Sequence, residues 1–442
     1  MSGAYIADHA WLPSGLAEQV RIEVVSGRIA AVEVDAVAGP DDLRLPGVVA
    51  SGFANTHSHA FHRALRGRDA DSTGTFWTWR ERMYRIADRL DPDSYYLVAR
   101  AVYAEMALAG VSCVGEFHYL HHAPGGVPYA DPNAMSEALL AAAHDAGIRI
   151  TLLDACYLSG GLSAAGHLPL SPTQRRFSDL DAERWATRVH AQRPQPHARI
   201  GAAIHSVRAV PRDQLRTVVD AAAAKPLHVH LSEQADENEQ CRAHYGVTPT
   251  RLLRDAGALT EHTTVVHATH LTADDIADLA SSGVSVSMCP TTERDLADGI
   301  GPARALGAAG CPIVLGSDQH VVIDLLEEAR ALEADERLAS GVRGRFAPGE
   351  LLDALTLSGH RSLGWTDAGR IEVGARADLV AVRLDSVRTA GADPVGALSV
   401  ASAADVDTVI VDGRVVVDGG RHVLGDVARL LADAIGPLWS NG

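Results

Sequence analysis

Residues 226–234 have the sequence PLHVHLSEQ, a short β-prone run that ends in polar and ionisable side chains. Longer helical stretches such as 93–110 (DSYYLVARAVYAEMALAG) and 134–148 (AMSEALLAAAHDAGI) lie between several runs of this form. The alternation predicts a parallel sheet wrapped by helices, closed as an eight-stranded (β/α)₈ barrel of the TIM type. The other seven candidate strands are 47–57 (GVVASGFANTH), 111–119 (VSCVGEFHY), 149–157 (RITLLDACY), 199–207 (RIGAAIHSV), 263–270 (TTVVHATH), 284–293 (VSVSMCPTTE) and 311–320 (CPIVLGSDQH).

The two ends of the chain have a different pattern. Residues 18–34 (EQVRIEVVSGRIAAVEV) contain two β-prone runs around a short turn, and 377–384 (ADLVAVRL) and 408–423 (TVIVDGRVVVDGGRHV) resemble them. We therefore expect the two ends to meet in one small β-sandwich domain. The expected division is a discontinuous sandwich of residues 1–48 and 369–442, and a barrel of residues 49–368.

Composition limits the class of partner. The chain has 442 residues, 47% of them hydrophobic, which is enough for a large buried core. Its formal net charge of −17 disfavours a nucleic-acid surface, because a phosphate backbone would be repelled. A small-molecule partner is expected, and a few arginines focused in a pocket still allow it to carry carboxylates.

The cysteines and the N-terminal residues indicate the cellular compartment of the protein. The five cysteines are odd in number and widely spaced, which favours a reduced set rather than disulfides or a structural zinc site. The first residues, MSGAYIADHAWLPSG, have no basic stretch followed by an apolar run, and no window approaches eighteen consecutive apolar residues. These features predict a cytoplasmic protein without membrane contact.

Ionisable residues concentrate at the ends of four predicted strands. His57 and His59 form an H-x-H pair, whose side chains point to the same face and can converge on one ion. Catalytic zinc uses a few nitrogen and oxygen ligands and keeps a position for water. The predicted ligands are His57, His59, His230 and Asp318, and Glu233 and His267 remain for proton transfer.

Each of these residues also has an ordinary interpretation. Histidines in an H-x-H pair can be polar loop residues, Asp318 can cap a helix, and Glu233 can be solvated. A coincidence of all six at the ends of strands one, five, six and eight is a poor explanation, since active sites of such barrels lie at the carboxyl ends of the strands. His228 shares the strand parity of His230, but packing explains it equally well.

Longer strings strengthen this pattern. NTHSH, HVHLSE, VVHATH and GSD resemble the amidohydrolase superfamily. HSHAFHRALRGR, FWTWRERMYRIADRL, GEFHYLHH, HSVRAV and CPTTERDLADGI resemble its formimidoylglutamate deiminase family, and the resemblance spans nearly the whole chain. It implies zinc-dependent hydrolysis of N-formimidoyl-L-glutamate to N-formyl-L-glutamate and ammonia, a step of histidine degradation. It also implies the same four zinc ligands and catalytic roles for Glu233, His267 and Asp318.

One metal ion per chain is expected. Some members of the superfamily hold two metals bridged by a carboxylated lysine on the fourth strand. The fourth strand here, RIGAAIHSV, has no lysine. Lys225, the only lysine of the chain, precedes the fifth strand and so belongs to the opposite end of the barrel.

The resemblance also implies contacts for the two substrate carboxylates. Arg208, His205, Arg82 and Tyr119 would meet the glutamyl part, and arginine suits this because its planar fork can bind a carboxylate with two hydrogen bonds. Arg82 could equally lie on a solvated helix face. His62 departs from the family, which usually has glutamine there, so a related N-substituted glutamate or another amidine stays open as the substrate.

Two other functions stay open at this point. A different deaminase of the superfamily, acting on a nucleobase, a nucleoside or another amidine, would use the same metal and acid-base residues. A barrel that has lost catalysis and serves as a scaffold is also possible, since fold does not fix function, although six intact site residues disfavour it. The resemblance further leads us to expect a homodimer.

Overall fold

The computed structural model describes residues 3–68 and 76–440. It contains eighteen described strands: β1 (Gly3–Leu12), β2 (Gly15–Val25), β3 (Arg28–Glu33), β4 (Leu43–Ser51), β5 (Phe53–Ser58), β6 (Val111–His118), β7 (Arg149–Cys156), β8 (Gly161–Ser163), β9 (Gly166–Leu168), β10 (Ala198–Ile204), β11 (Leu227–Leu231), β12 (Thr263–His267), β13 (Ser285–Met288), β14 (Ile313–Leu315), β15 (Leu379–Val382), β16 (Val406–Val411), β17 (Arg414–Asp418) and β18 (Arg421–His422).

Fourteen α-helices are described alongside these strands. They are α1 (Phe76–Ala87), α2 (Pro92–Leu108), α3 (Ala134–Ala146), α4 (Ala182–Ala191), α5 (Arg212–Ala222), α6 (Ala235–Tyr245), α7 (Pro249–Asp255), α8 (Ala273–Ser282), α9 (Pro290–Asp295), α10 (Ala303–Ala309), α11 (Leu325–Ser340), α12 (Pro348–Leu355), α13 (Leu357–Ser362) and α14 (Val427–Trp439). Within these described ranges, no helix is long and apolar enough to cross a membrane.

The helices begin where the sequence offers side-chain caps. The Asp91 carboxylate accepts a hydrogen bond from the Ser94 backbone N–H, and the Ser94 hydroxyl oxygen accepts one from the Asp91 backbone N–H, which forms a capping box in front of α2. Pro92 occupies the first turn, where no intrahelical hydrogen bond from its nitrogen is needed. Asp324 caps α11 in the same manner through the backbone N–H groups of Leu326 and Glu327.

Eight parallel strands form the predicted barrel. Their hydrogen-bonded order is β5-β6-β7-β10-β11-β12-β13-β14, with helices connecting successive strands. The ring closes through a parallel bridge between Ser58 and Asp318. Close approach at this closure requires Gly316, because a Cβ there would lie 2.7 Å from Cβ of His57. The carboxyl ends of all eight strands therefore surround one mouth.

The chain ends form a second sheet, as predicted. Its order is β18-β17-β16-β15-β4-β1-β2-β3, so strands from the two ends meet where β4 pairs with β15. Alternate side chains of these strands, such as Ile22, Val49 and Leu379, share one buried apolar cluster. This cluster is separate from the large core between the barrel and its helices.

The prediction of one strand over residues 47–57 was wrong. The segment is divided between the end of β4, in the terminal sheet, and β5, in the barrel. Gly52 separates them, and its backbone N–H donates to the carbonyl of Asp378. A Cβ at Gly52 would lie 2.5 Å from Oγ of Ser112, so the chain can pass between the sheets there only with glycine. We propose Gly52 as the point where the terminal unit passes into the barrel.

Candidate active site

The four predicted metal ligands converge at the mouth of the barrel. His57 lies in β5 and His59 directly follows it, His230 comes from β11, and Asp318 from the loop after β14. Nε2 of His57 lies 3.0 Å from Nε2 of His230 and 3.4 Å from Oδ1 of Asp318. Nε2 of His59 lies 3.4 Å from the same oxygen. The structure thus brings all four side chains together around one point.

The donor set fits a zinc ion. Nδ1 of His59 donates to the carbonyl of Phe117 at 2.8 Å, and Nδ1 of His230 donates to the carbonyl of His205 at 2.9 Å. These bonds leave the Nε2 lone pairs of both rings directed at the shared point, as in zinc sites whose ligands are oriented by backbone carbonyls. Nε2 of His57 and Nε2 of His230 lie 3.0 Å apart, close enough for one cation to contact both nitrogens.

Burial keeps these rings in the neutral form that ligates metals. Desolvation, and after it the neighbouring His57, lower the pKa of His59 to about 3. Desolvation likewise lowers the pKa of His57 and of His230 below the ordinary value for histidine. The pKa of Asp318 is lowered although burial opposes this, because His57 hydrogen-bonds its carboxylate. The site therefore combines three neutral imidazoles with one carboxylate.

The backbone at this mouth is unusual in its dihedral angles. Positive φ values occur at Ser232 (51°), His267 (70°) and Asp318 (42°), each just at or beyond a strand end. Such left-handed residues are uncommon outside glycine and concentrate at functional sites. Here they redirect side chains from the strand ends toward the common point.

Glu233 and His267 lie beside the predicted ligands. Nε2 of His267 is 3.7 Å from Oδ2 of Asp318 and 3.8 Å from Oε1 of Glu233. Burial favours the neutral ring, yet the surrounding carboxylates, foremost Glu233 and then Glu293, raise the pKa of His267 to about 10. A protonated imidazole at this position can donate a hydrogen bond to an oxygen that gains negative charge.

Glu293 is a site residue that sequence reasoning missed. Its Oε1 accepts from Nδ1 of His267 at 3.3 Å and from the backbone N–H of Cys289 at 2.8 Å. It therefore fixes the orientation of the His267 ring. The available signal was its place in CPTTERDLADGI, directly after the seventh barrel strand, but this string alone does not say which histidine it meets.

A cavity opens above this cluster. The cavity is lined by the predicted substrate residues His62, Tyr119, His205 and Arg208, together with His59, His230, Glu233, His267 and Asp318. The hydroxyl of Tyr119 lies 2.8 Å from Nε2 of His62, so these two form one hydrogen-bonded pair at the wall. Strands β8 and β9 contribute the apolar Leu162 and Leu168 to the opposite part of the lining.

Arg208 is held between two carboxylates. Its Nε lies 3.2 Å from Oε2 of Glu237, and its NH2 group lies 3.4 Å from Oε2 of Glu233. Although burial lowers the pKa of a guanidinium, Glu237 and Glu233 raise that of Arg208, so the group stays cationic. Sequence reasoning missed Glu237, which lies four residues after Glu233 at the start of α6. Arg208 thus links the wall of the cavity to the catalytic cluster.

Arg82, which the sequence predicts to contact substrate, lies outside the described lining of the cavity. Among the described residues, the cavity lining contains Arg80 and Met83 from α1 but not Arg82. The reason is helical periodicity, because residues 79, 80, 83 and 84 share one face of α1 and residue 82 points away from it. Arg82 donates instead to the carbonyl of Arg68 at 2.8 Å. Arg80, whose guanidinium lies 5.6 Å from the centre of the Tyr84 ring, is the α1 arginine at the cavity.

His228 and Lys225 lie where the single-metal interpretation requires. His228 is fully buried in β11, and its Nε2 lies 3.5 Å from the carbonyl of Ser362, which supports a packing role. Lys225 precedes β11 and so lies at the opposite end of the barrel from the cluster. Among the described residues, the strand next to β11, β10, contains no lysine.

Two family models match the chain. The model described as "Amidohydrolase family" matches residues 48–416. The model described as "Formimidoylglutamate deiminase HutF, N-terminal domain" matches residues 4–45. The first covers the barrel together with much of the C-terminal part, and the second covers the first strands of the terminal sheet.

Individual proteins agree with these matches. A formimidoylglutamate deiminase from Pseudomonas aeruginosa is 37% identical over 456 residues, which cover 98% of this chain and 99% of that protein. The crystal structure of an amidohydrolase from Brucella melitensis superposes with a TM-score of 0.92 at 36% identity, covering 99% of this chain and all of that one (100%). An adenosine deaminase from Xanthomonas campestris with bound zinc superposes with a TM-score of 0.82 at 23% identity, covering 98% and 96%, a likeness of fold alone.

Proposed function

The chain belongs to the amidohydrolase family, and we propose that it is a formimidoylglutamate deiminase that hydrolyses N-formimidoyl-L-glutamate to N-formyl-L-glutamate and ammonia. The observation that carries the proposal is the shared cavity, in which a histidine-aspartate cluster lies beside the buried cation Arg208. This substrate needs both features, since it carries two carboxylates and one amidine-like carbon. The match of residues 4–45 to the deiminase N-terminal domain supports the same assignment.

One zinc ion per chain would be held by His57, His59, His230 and Asp318. When bound, zinc lowers the pKa of water enough to supply a nucleophile near neutral pH. Buried neutral imidazoles and a carboxylate are a donor set suited to zinc, whereas calcium and magnesium prefer oxygen donors. Another group of described residues that could hold a metal, His118 with His121 and Asp154, is a poorer candidate because Arg188 already pairs with Asp154 at 2.7 Å.

The chain's own residues then divide the proton transfers. Asp318 accepts the proton of the attacking water, since its carboxylate lies within the cluster and stays ionised. Glu233 pairs with the cationic formimidoyl nitrogen and transfers to it the second proton of the attacking water, which is lost from the oxygen as the carbonyl forms, so that this nitrogen leaves as ammonia. His267, oriented by Glu293, donates a hydrogen bond to the oxygen that attacks the carbon as charge develops there.

Recognition of the glutamyl part falls to the cavity wall. Arg208 can bind one carboxylate with two parallel hydrogen bonds, which a lysine could not do. Arg80 supplies a second cation on the same cavity, while Tyr119 and His62 offer hydrogen-bond donors. His205 lies beside Tyr119, with ring centroids 5.5 Å apart. We therefore keep four of the substrate contacts predicted from the sequence, namely His62, Tyr119, His205 and Arg208. We propose Arg80 in place of Arg82 as the contact from α1.

Three further expectations accompany the proposal. Histidine degradation is the process that this reaction serves, by the resemblance to formimidoylglutamate deiminases. A homodimer and a cytoplasmic location stay predictions. All five cysteines are buried and unpaired, which agrees with a reducing compartment.

Ammonia release by the zinc-loaded protein tests the proposed reaction. N-Formimidoyl-L-glutamate, its D-isomer and adenosine are offered in parallel, and the carbon product is identified as N-formyl-L-glutamate or not. We expect fast turnover of the L-isomer, with the D-isomer and adenosine turned over far more slowly. Preference for adenosine would favour a nucleoside deaminase, and silence from a metal-replete protein toward all amidines would favour a scaffold.

A further inference from the structure

Five polar side chains form a continuous chain of hydrogen bonds behind the proposed metal ligands. Each is completely buried, with no solvent-exposed surface. None of them is a proposed ligand or substrate contact. We call this group the seam network, and its members are Asn55, Ser58, Glu116, Ser317 and His320.

The hydrogen bonds of the seam network all point in one direction. Nδ2 of Asn55 donates to Oγ of Ser317 at 2.7 Å, and Ser317 donates to Nδ1 of His320 at 2.9 Å. Nε2 of His320 then donates to Oγ of Ser58 at 3.2 Å, and Ser58 donates to Oε2 of Glu116 at 2.5 Å. With the Glu116 carboxyl group as the final acceptor, these roles make His320 the Nε2–H tautomer.

The network lies where the barrel closes. Strand β5 and the segment after β14 are joined by the bridge between Ser58 and Asp318, together with backbone hydrogen bonds from His59 to Asp318 and from Asp318 to His57. This seam separates two ligand-bearing segments, because His57 and His59 lie at the end of β5 and just after it, and Asp318 follows β14. The spacing of the ligands thus depends on how firmly the seam is held.

His320 is the member that spans the seam. Its two ring nitrogens reach Ser58 on one side and Ser317 on the other, and each serine is adjacent to a proposed ligand. Glu116 extends the support on the β5 side, since its second oxygen accepts from the backbone N–H of Ala60 at 2.7 Å. Asn55 closes the other side, where its Oδ1 accepts from the backbone N–H of Ser317 at 3.0 Å.

We propose that His320 is a positioning residue that sets the distance between the His57–His59 pair and Asp318, and thereby the zinc affinity of the site. The inference rests on the proposed metal centre. It follows from general behaviour of metal sites, in which partners behind the ligands orient them and their loss typically weakens metal binding about 10- to 100-fold. Because His320 contacts the neighbours of the ligands rather than the ligands themselves, we expect an effect near the lower end.

Three substitutions separate the two bonds of His320. His320→Ala removes both bonds. His320→Asn retains an amide near the position of Nδ1, and His320→Gln retains one near the position of Nε2, so each can restore one bond. Asparagine also tolerates the left-handed backbone of this position, where φ is 61°. The backbone carbonyl keeps its hydrogen bond from Nε of Arg66, at 2.6 Å, in every variant.

The zinc dissociation constant, measured by competition with a chromogenic chelator, tests the proposal without reference to activity. We expect H320A to bind zinc about 10-fold more weakly than the unsubstituted protein. H320N and H320Q should lie between the two. At saturating zinc, KM for substrate should be unchanged in all three, because the cavity wall is untouched.

A matched control is His360→Ala. His360 is also completely buried, and its ring bonds the carbonyl of Thr356 at 2.9 Å and Oγ of Ser112 at 3.3 Å near the start of β6, away from the ligands. H360A should lose stability while keeping its zinc affinity. If H320A does not fold, Ser58→Ala removes the same link from the other side and is expected to weaken zinc binding in the same way.

Outcomes for the metal centre and for the positioning role are distinct. If the unsubstituted protein binds no zinc, the proposed metal centre is wrong and the role of His320 falls with it. If the unsubstituted protein binds zinc tightly and H320A, or S58A, binds it equally well, the metal centre stands and the positioning role is overturned. Equal weakening in H360A and H320A would also overturn it, since loss of any buried histidine would then explain the result.

Discussion

The floor and the wall of the active-site cavity are built in different ways. The floor consists of side chains at or just beyond barrel strand ends, namely His57, His59, His230, His267 and Asp318, all but His57 lining the cavity, and the wall consists of His62, Arg80, Tyr119, His205 and Arg208. Two floor residues are oriented by backbone carbonyls, since the His59 ring bonds Phe117 and the His230 ring bonds His205. Several wall residues come from helices and loops instead. The floor is suited to a reaction type common to the family, and the wall to the choice of substrate.

The largest effect should follow from removing zinc, which acts on the floor alone. Chelation and dialysis should lower turnover by about 10³-fold or more, because a metal contributes several kcal/mol of transition-state stabilisation. Ammonia release before and after the treatment measures this, and readdition of zinc should restore it. Full activity in metal-free protein would show that the reaction does not depend on a metal held by the floor residues.

Glu233→Gln should produce the next largest loss. The amide has nearly the same shape but cannot deliver or accept a proton, and general acid-base catalysis is worth about 10²- to 10⁴-fold. Zinc content, measured by elemental analysis, should stay at one ion per chain. Near-normal kcat in this variant would exclude Glu233 as the proton-transfer group.

Arg208→Met should raise KM more than it lowers kcat. Hydrogen bonds to a charged partner contribute about 1.5–3 kcal/mol, so KM for the dicarboxylate substrate should rise roughly 10- to 100-fold. Its contact with Glu233, at 3.4 Å, leads us to expect a smaller decrease in kcat as well. The exposed Arg216, substituted in the same way, is the matched control and should leave both constants unchanged. An unaltered KM in R208M would contradict a role of the wall in carboxylate recognition.

Two variants on α1 should give the smallest changes in KM, and they compare directly an arginine that lines the cavity with one that does not. Arg80→Met is expected to raise KM about 2- to 10-fold, since one partly exposed hydrogen-bonding cation is lost. Arg82→Met should leave KM within twofold of the unsubstituted protein, because Arg82 contacts Arg68 rather than the cavity. Steady-state kinetics on the two proteins settle which arginine meets substrate, and a larger effect for R82M would reverse the assignment.

The floor could be predicted from the sequence, and the wall only in part. His57, His59, His230 and Asp318 were identified because strand periodicity and strand ends are local features, and a barrel brings all its strand ends to one mouth. The eight strands were located for the same reason. Only the first was placed with an error, because β4 and β5 follow each other with a single glycine between them and no sequence signal assigns them to different sheets.

Which wall residues face the cavity depends on how each helix is rotated about its axis against the barrel. The local sequence pattern does not determine this rotation. Arg80 and Arg82 lie in the same arginine-rich string, and only the packing of α1 against the barrel decides which of them faces the cavity. Glu237 and Glu293 were missed because their partners, Arg208 and His267, are remote in sequence. The role of His320 likewise cannot be predicted from the sequence, because its partners come together only when β5 and β14 close the ring.

A ratio of specificity constants tests the division between floor and wall most directly. The kcat/KM for N-formimidoyl-L-glutamate is compared with that for an N-alkylformamidine without carboxylates, in the unsubstituted protein and in R208M. We predict a strong preference for the dicarboxylate in the unsubstituted protein, reduced about 10- to 100-fold in R208M as the carboxylate's charged hydrogen bonds are lost. An unchanged ratio, or equal use of both substrates by the unsubstituted protein, would contradict the assignment of substrate choice to the wall.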